Sequence, residues 1–294
     1  DPDDIRELNP YVVLDDVYGG TFCPEDGWCD TYAATIGYAK AAQRLGVTIR
    51  EESPVIDIMV ENGKVAGVET IDGDVATPLV ILCSGPQTRQ VSELAGLNIP
   101  VDPYRRMSWI TEPFDALPGT LPMTIDFSSG LYAHPESGGF LFGMANRDEP
   151  SSFEKSVDED WMATTVEALV EMVPAFEEAS ILNGWAGFYE VTPDDNPVLG
   201  FVDQVEGLAV AAGFSGHGFM QGPAIGACMA GSAIASSNFE RDTPKSHRFW
   251  PFSTQSSRAS SGEITRICWS RQPSGLICSG SGRGSGCSRA RAQR

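Results

Sequence analysis

Residues 207–236 read GLAVAAGFSGHGFMQGPAIGACMAGSAIAS, and the order of features in that run decides the architecture. Leu208–Ala212 is a short apolar run of strand length. A glycine-rich turn, Gly213–Gly218, follows it. Pro223 then falls early in a predicted helix, whose further residues are small: Ala224, Gly226, Ala227, Ala230 and Gly231. Strand, glycine turn and helix in succession are the repeating unit of an α/β layer. Glycines let the backbone approach a ligand closely. The N–H groups that open a helix lack intrahelical partners and favour an anionic group. The same residues also serve a plain tight turn between a strand and a packing helix, and both readings stand at this point.

Upstream of that run, Ile181–Val191 reads as a strand rich in aromatics, Thr192–Pro197 as a turn-rich loop, and Val198–Val202 as a strand. Asp158–Val173 has helical spacing at Met162, Val166, Leu169 and Val173, with Pro174 beyond it. Four strands are predicted at Tyr104–Glu112, Met123–Phe127, Leu131–His134 and Phe140–Met144, separated by turn residues, as in an antiparallel sheet. Residues 87–97 suit a short helix closed by Gly96. Asp30 is placed to cap a helix over TYAATIGYAKAAQRLG, stopped by Gly46. Val47–Arg50 is expected as a short strand. Pro54–Val60, the turn Asn62–Gly63, Lys64–Ile71 and Thr77–Cys83 predict a three-stranded meander whose last strand is buried.

Charge separates the chain into two parts. It carries 40 acidic and 20 basic side chains, only four of them lysine. Ten basic and three acidic residues lie from Asn238 onward, which leaves ten basic and 37 acidic over residues 1–237. That body, at about −27, repels nucleic acid and anionic membrane. An acidic coat poor in lysine fits high salt, where screening removes self-repulsion, so a halophilic source is expected. Seven cysteines at irregular spacing suit free thiols in a reducing cytoplasm, and no zinc spacing accompanies Cys23 and Cys29, so no metal site is expected. No apolar run has the length of a membrane span. Residues 238–294 are rich in Ser, Arg and Gly and lack an amphipathic period. A disordered extension is expected there, of the kind an out-of-frame reading produces.

Several segments together resemble a known family. GFSGHGFMQGPAIG (213–226), GFYEVTPDDNPVLG (187–200), GGTFCPEDGWCDTYAATIGYAKAAQRLGV (19–47), the run ending in ILCSGP (81–86), and YAHPESGGFLFGMANRDEP (132–150) are similar, in order, to the FAD-dependent amine oxidoreductases of the D-amino-acid oxidase superfamily. The likeness is to sarcosine oxidase β subunits, sarcosine and dimethylglycine dehydrogenases, and glycine oxidases. It implies an α/β (α+β) fold: a truncated Rossmann-like FAD domain of discontinuous segments, with an antiparallel-sheet substrate domain between them. The implied division is 1–86 and 192–237 for the FAD domain and 87–191 for the substrate domain. The family's GxGxxG unit, which holds the FAD pyrophosphate, has no counterpart here, and the chain opens at Asp1, so a fragment is expected.

The resemblance also implies residue roles. Gly213, Phe214, Ser215, Gly216, His217, Gly218, Phe219 and Met220 are similar to the segment that lies along the flavin. Val55 resembles the position that meets the adenine, Gly85 the end of a strand beside the cofactor, and Pro193 and Asp194 a loop near the flavin ring. Each also has a plain structural reading, and Asp194 equally caps a turn. Tyr132 and Tyr189 resemble positions that wall the substrate pocket and are the candidate catalytic residues. His134 shares a strand face with Tyr132. Arg105, Arg106 and Arg147 are candidates to meet a substrate carboxylate. Gly187 stands where some relatives attach flavin through cysteine, so FAD is expected to be non-covalent. No lysine occupies FLFG (140–143), where oxygen-using relatives place one, which favours a dehydrogenase passing electrons to a protein or quinone over an oxidase.

The implied activity is oxidation of the C–N bond of a small, N-methylated amino acid by hydride transfer to flavin. A 2-hydroxy-acid dehydrogenase is the alternative on the same cofactor. A non-catalytic fragment or partner subunit that cannot hold FAD is the alternative from another class.

Overall fold

The computed structural model of the chain describes residues 1–238 and 266–270. Helix α1 (Pro2–Leu8) opens the chain, capped by the Asp1 side chain on the N–H groups of Asp3 and Asp4. Strand β1 (Gly19–Cys23) leads to α2 (Thr31–Arg44), where the Asp30 carboxylate accepts from Ala33 N at 2.9 Å and Gly46 turns with φ +92°. The sequence signals for this helix hold, yet none of its side chains is buried. Residues 47–50 form no strand, contrary to expectation: Val47 and Ile49 are exposed and no neighbouring strand offers a ladder among the described residues.

Strands β2 (Val55–Glu61), β3 (Lys64–Thr70) and β4 (Val75–Ala76) form the expected meander, with Asn62 and Gly63 at positive φ in its first turn. Its third strand is shorter than predicted. Pro78 cannot donate to a ladder, and the chain beyond it leaves the meander as β5 (Val80–Leu82) for another sheet. Only Leu82 of that strand is fully buried. A 3-10 turn and α3 (Thr88–Glu93) follow, closed by Gly96 at φ +72°.

The middle of the chain supplies β6 (Asp102–Thr111), β7 (Met123–Asp126), β8 (Tyr132–Glu136), β9 (Gly139–Gly143), α4 (Glu159–Met172) and β10 (Ile181–Val191). The sheet they build has the order β1, β13, β7, β8, β9, β6, β10, where β13 is Arg266–Ser270. β13 pairs antiparallel with β1 and parallel with β7. The extension 238–294 was expected to lack regular structure; β13 departs from that, and residues 239–265 and 271–294 lie outside the described residues.

One face of this sheet is a core. Met107, Trp109, Phe140 and Phe142 pack there with Leu169 and Met172 of α4 and Ile5 of α1. Trp109 and Phe142 are 1% and 0% exposed, which stabilises the fold by about 1.5–3 kcal/mol for each side chain of that size.

Strands β11 (Val198–Phe201) and β12 (Leu208–Ala212) complete the architecture with β5, in the order β11, β12, β5. β12 is antiparallel to β11 and parallel to β5. All five residues of β12 are buried because both faces are covered. Leu208, Val210 and Ala212 join Ile58, Val65 and Val101, while Ala209 and Ala211 meet Ile225 and Met229 of α5 (Gly218–Asn238). The expected α/β class with an antiparallel middle sheet is what the chain adopts.

Candidate functional site

The second face of the seven-stranded sheet carries polar and aromatic side chains instead of a core. Alternation along β6 puts Tyr104, Arg106 and Ser108 on this face, opposite to Met107 and Trp109. The register of β6 with β10 sets Tyr189 across from Tyr104, Gly187 across from Arg106, and Trp185 across from Ser108. On β8, Tyr132 lies within 2.8 Å of Ser108, hydroxyl to hydroxyl. Its hydroxyl sits over Gly143, where an added Cβ would come within 2.6 Å. Burial raises the Tyr132 phenol above its ordinary value, with the Ser108 hydrogen bond pulling the other way.

Arg106 lies near two rings. Its guanidinium carbon stands 5.1 Å from the Tyr189 ring centre and 6.0 Å from that of Tyr104. Nη1 donates to Arg105 O at 2.7 Å, whereas Nε is buried with no acceptor. Desolvation pushes its pKa down. No carboxylate lies within ion-pair distance of it among the described residues. Arg105 is different: it faces away and is held by Glu149, Asp158 and Ser156 O. Arg147 is exposed.

His134 is buried on the same face as Tyr132, donating from Nδ1 to Pro135 O at 2.9 Å and packed at a tilt of 33° on Trp28 with centroids 4.9 Å apart. Burial lowers its pKa, against the pull of the Pro135 hydrogen bond and of Glu136.

The glycine turn lies on the end of β10. A Cβ on Gly216 would fall 2.3 Å from the Tyr189 ring, and one on Gly213 would fall 2.4 Å from Thr192 Cγ2; both residues have positive φ. These two glycines are therefore required by packing. Ser215 N donates to Glu190 O at 3.0 Å, and Phe214 N to Glu190 Oε1 at 3.4 Å. Glu190 Oε2 is buried without a partner, 3.6 Å from the place a Gly85 Cβ would take. Burial pushes this carboxyl up, against the pull of the Gly213 and Phe214 N–H groups. Gly218 begins α5 behind Phe214, and His217, Phe219 and Met220 are exposed at the helix start. Farther along α5, Gly222, Gly226 and Gly231 face open space.

The structure thus brings Tyr132, Tyr189, Gly85 and the turn 213–218 to one junction between the large sheet and β12. Val55 does not share it: this residue begins β2 in the separate meander and is exposed. Asp194 is used within its own turn, accepting from Thr192 Oγ1 at 3.1 Å and Asn196 N at 3.2 Å, and Pro193 beside it is exposed. Those hydrogen bonds lower the Asp194 pKa. Tyr104, Ser108, Trp28 and Glu190 escaped the sequence reading. Period-two alternation around Arg106 signals Tyr104 and Ser108, whereas Trp28 and Glu190 join through contacts that sequence spacing does not encode.

An antiparallel sheet joined to a partly parallel α/β layer is the class. The family model described as "FAD dependent oxidoreductase" matches residues 1–231, and the chain belongs to that family. It is 29% identical over 245 residues to dimethylglycine dehydrogenase of Rattus norvegicus, covering 77% of this chain and 28% of that protein. It is 27% identical over 232 residues to sarcosine oxidase subunit beta of Rhizobium meliloti (strain 1021), covering 77% of this chain and 55% of the relative. Among solved structures, L-proline dehydrogenase from P. horikoshii superposes with a TM-score of 0.76 at 29% identity, covering 80% of this chain and 63% of that one. The chain therefore spans from about a quarter to under two thirds of the lengths of these relatives.

The family's cofactor is FAD, and the residues present fit part of it. The open N–H groups of the first turn of α5, next to the exposed Phe219 and Met220, suit the flavin end. No GxGxxG run occurs among the 294 residues, so they include no such cradle for the pyrophosphate. Among the described residues no group of three His, Cys, Asp or Glu side chains could hold a metal, and no helix is long and apolar enough to cross a membrane.

Proposed function

We propose that this chain forms the substrate-facing part of an FAD-dependent oxidoreductase that oxidises the C–N bond of a small, N-methylated amino acid. The observation that carries this reading is the open sheet face, where Arg106, Tyr104, Tyr189 and Tyr132 converge beside the glycine turn. When bound, non-covalent FAD would supply the acceptor for a hydride from the carbon next to the substrate nitrogen. The protein's residues orient the substrate. Tyr189 and Tyr104 offer flat apolar walls for a methyl group. Tyr132 and Ser108 hold each other's hydroxyls in fixed positions. The open N–H groups at the start of α5 favour negative charge on whatever lies before them.

The names of the relatives, which act on dimethylglycine, sarcosine and proline, support a small amino acid as substrate. We further propose a dehydrogenase that hands electrons to a protein or quinone, because FLFG (140–143) offers no lysine charge to stabilise superoxide. The test is the absorbance spectrum of the purified chain supplied with FAD, followed by anaerobic addition of N-methylglycine, N,N-dimethylglycine, proline or a 2-hydroxy acid. Retained flavin bleached by the amino acids is the expected result. A protein that holds no flavin is a non-catalytic piece, and bleaching by the hydroxy acid alone moves the activity to the other substrate class.

A further inference from the structure

We infer that Arg106 is the anchor for the ligand's carboxylate, in the open space above Gly187 and beside the rings of Tyr104 and Tyr189. The inference rests on the reading of the substrate as an amino acid and names the group that would recognise it. Two observations carry it. The first is an unfilled cation. A guanidinium presents five N–H donors in a planar fork that matches a carboxylate, yet Arg106 donates only one recorded bond, to Arg105 O, and its Nε is buried without an acceptor. Glu149 attracts the Arg106 charge but lies beyond ion-pair distance and is paired with Arg105, and a buried polar atom left without a partner in a folded protein calls for an explanation. The neighbouring arginine shows the contrast, since Arg105 on the other face is saturated by two carboxylates and a carbonyl.

The second observation is space. Residues directly across an antiparallel pair point to the same side, and the partner of Arg106 is Gly187. A Cβ placed there would meet nothing within 4 Å. The glycine does not have a positive φ, so no backbone strain demands it. The neighbouring rings of Tyr104 and Tyr189 attract the guanidinium by cation–π interaction, which does not use its N–H donors. A cation beside two rings, with Nε unpartnered and an empty slot across the ladder, is a seat for a small carboxylate.

The test is isothermal titration calorimetry on the full chain with N-methylglycine, acetate and methylamine as probes, compared among wild type, Arg106→Gln, Arg106→Lys, Gly187→Val and Arg147→Gln. Wild type is expected to bind N-methylglycine and acetate and to ignore methylamine. Arg106→Gln is expected to weaken both carboxylates by about tenfold to a hundredfold, the range for a charged hydrogen-bonded pair. Arg106→Lys should retain part of the affinity, Gly187→Val should lose it by filling the slot, and Arg147→Gln should match wild type. Near-ultraviolet circular dichroism checks that each variant is folded, and Arg106→Lys with Gly187→Val decide the matter where Arg106→Gln does not fold. Wild type that binds no carboxylate, a folded Arg106→Gln that binds as wild type does, or methylamine bound as well as N-methylglycine overturns the assignment. Calorimetry needs no flavin, so carboxylate binding through Arg106 in a chain that holds no FAD sinks the oxidoreductase reading alone. A flavoprotein indifferent to Arg106→Gln sinks this inference alone.

Discussion

One strand, β6, shows two kinds of surface within five residues. Met107 and Trp109 are 3% and 1% exposed, packed on apolar neighbours from β9 and α4. Tyr104, Arg106 and Ser108 point the other way, to rings, hydroxyls and open space. The difference teaches where stability and binding are separated in this fold. Shape alone fixes the core face. The open face keeps a charged group beside empty space, whereas the core face is filled by apolar side chains even where one polar atom, Trp109 Nε1, is left without a partner.

The largest expected effect tests the core side of that contrast. Trp109→Ala should cost about 3–5 kcal/mol in urea unfolding, because it empties a close-packed site. Arg106→Gln, on the same strand, should change stability by less than about 1 kcal/mol, since it loses two ring contacts but also removes a half-buried charge. Equal losses would mean that the two faces do not differ in kind. Next is Gly216→Ala, which puts a Cβ against the Tyr189 ring at a positive φ. About 1–3 kcal/mol of strain is expected, read as a fall in the thermal midpoint that Gly46→Ala, with open space around it, shows to a smaller extent.

Smaller effects sharpen the open face. Tyr132→Phe removes the bond to Ser108 and should cost about 0.5–1.5 kcal/mol. Because burial raises the Tyr132 phenol, an alkaline absorbance titration of wild type should show a late-ionising tyrosine that is missing in Tyr132→Phe. The last prediction concerns Glu190, whose pKa is raised in the folded chain by burial. A raised carboxyl pKa means that the folded state holds the proton more tightly, so this contribution to stability is complete below the ordinary glutamate value. It is lost as pH rises through the folded value. Glu190→Gln should flatten that stretch of the stability–pH curve, and an unchanged curve would contradict the placement of this side chain beneath the glycine turn.

Much of the fold was legible because local signals and packing agree. The Asp30 cap, the Asn62–Gly63 turn, the apolar spacing of α4 and the run Leu208–Ala212 each state their element within a few residues. Val47–Arg50 forms no strand because β-propensity needs a neighbouring strand, and none is beside it among the described residues. The last meander strand failed because Pro78 divides it between two sheets, a choice made by long-range pairing with β12. At the site, the family likeness carried Tyr132, Tyr189 and the glycine turn to one junction. It did not separate Arg106 from Arg105 and Arg147. That distinction depends on which face of β6 each side chain takes and on what waits there, Glu149 for one and a glycine slot for the other.

The most direct measurement is an anaerobic titration of the FAD-supplied full chain with N-methylglycine, in wild type and in Arg106→Gln, following the flavin absorbance. The account predicts bleaching in both, with the variant needing about ten times or more the substrate concentration. Bleaching at the same concentration in both proteins, or none in wild type that holds flavin, would contradict it.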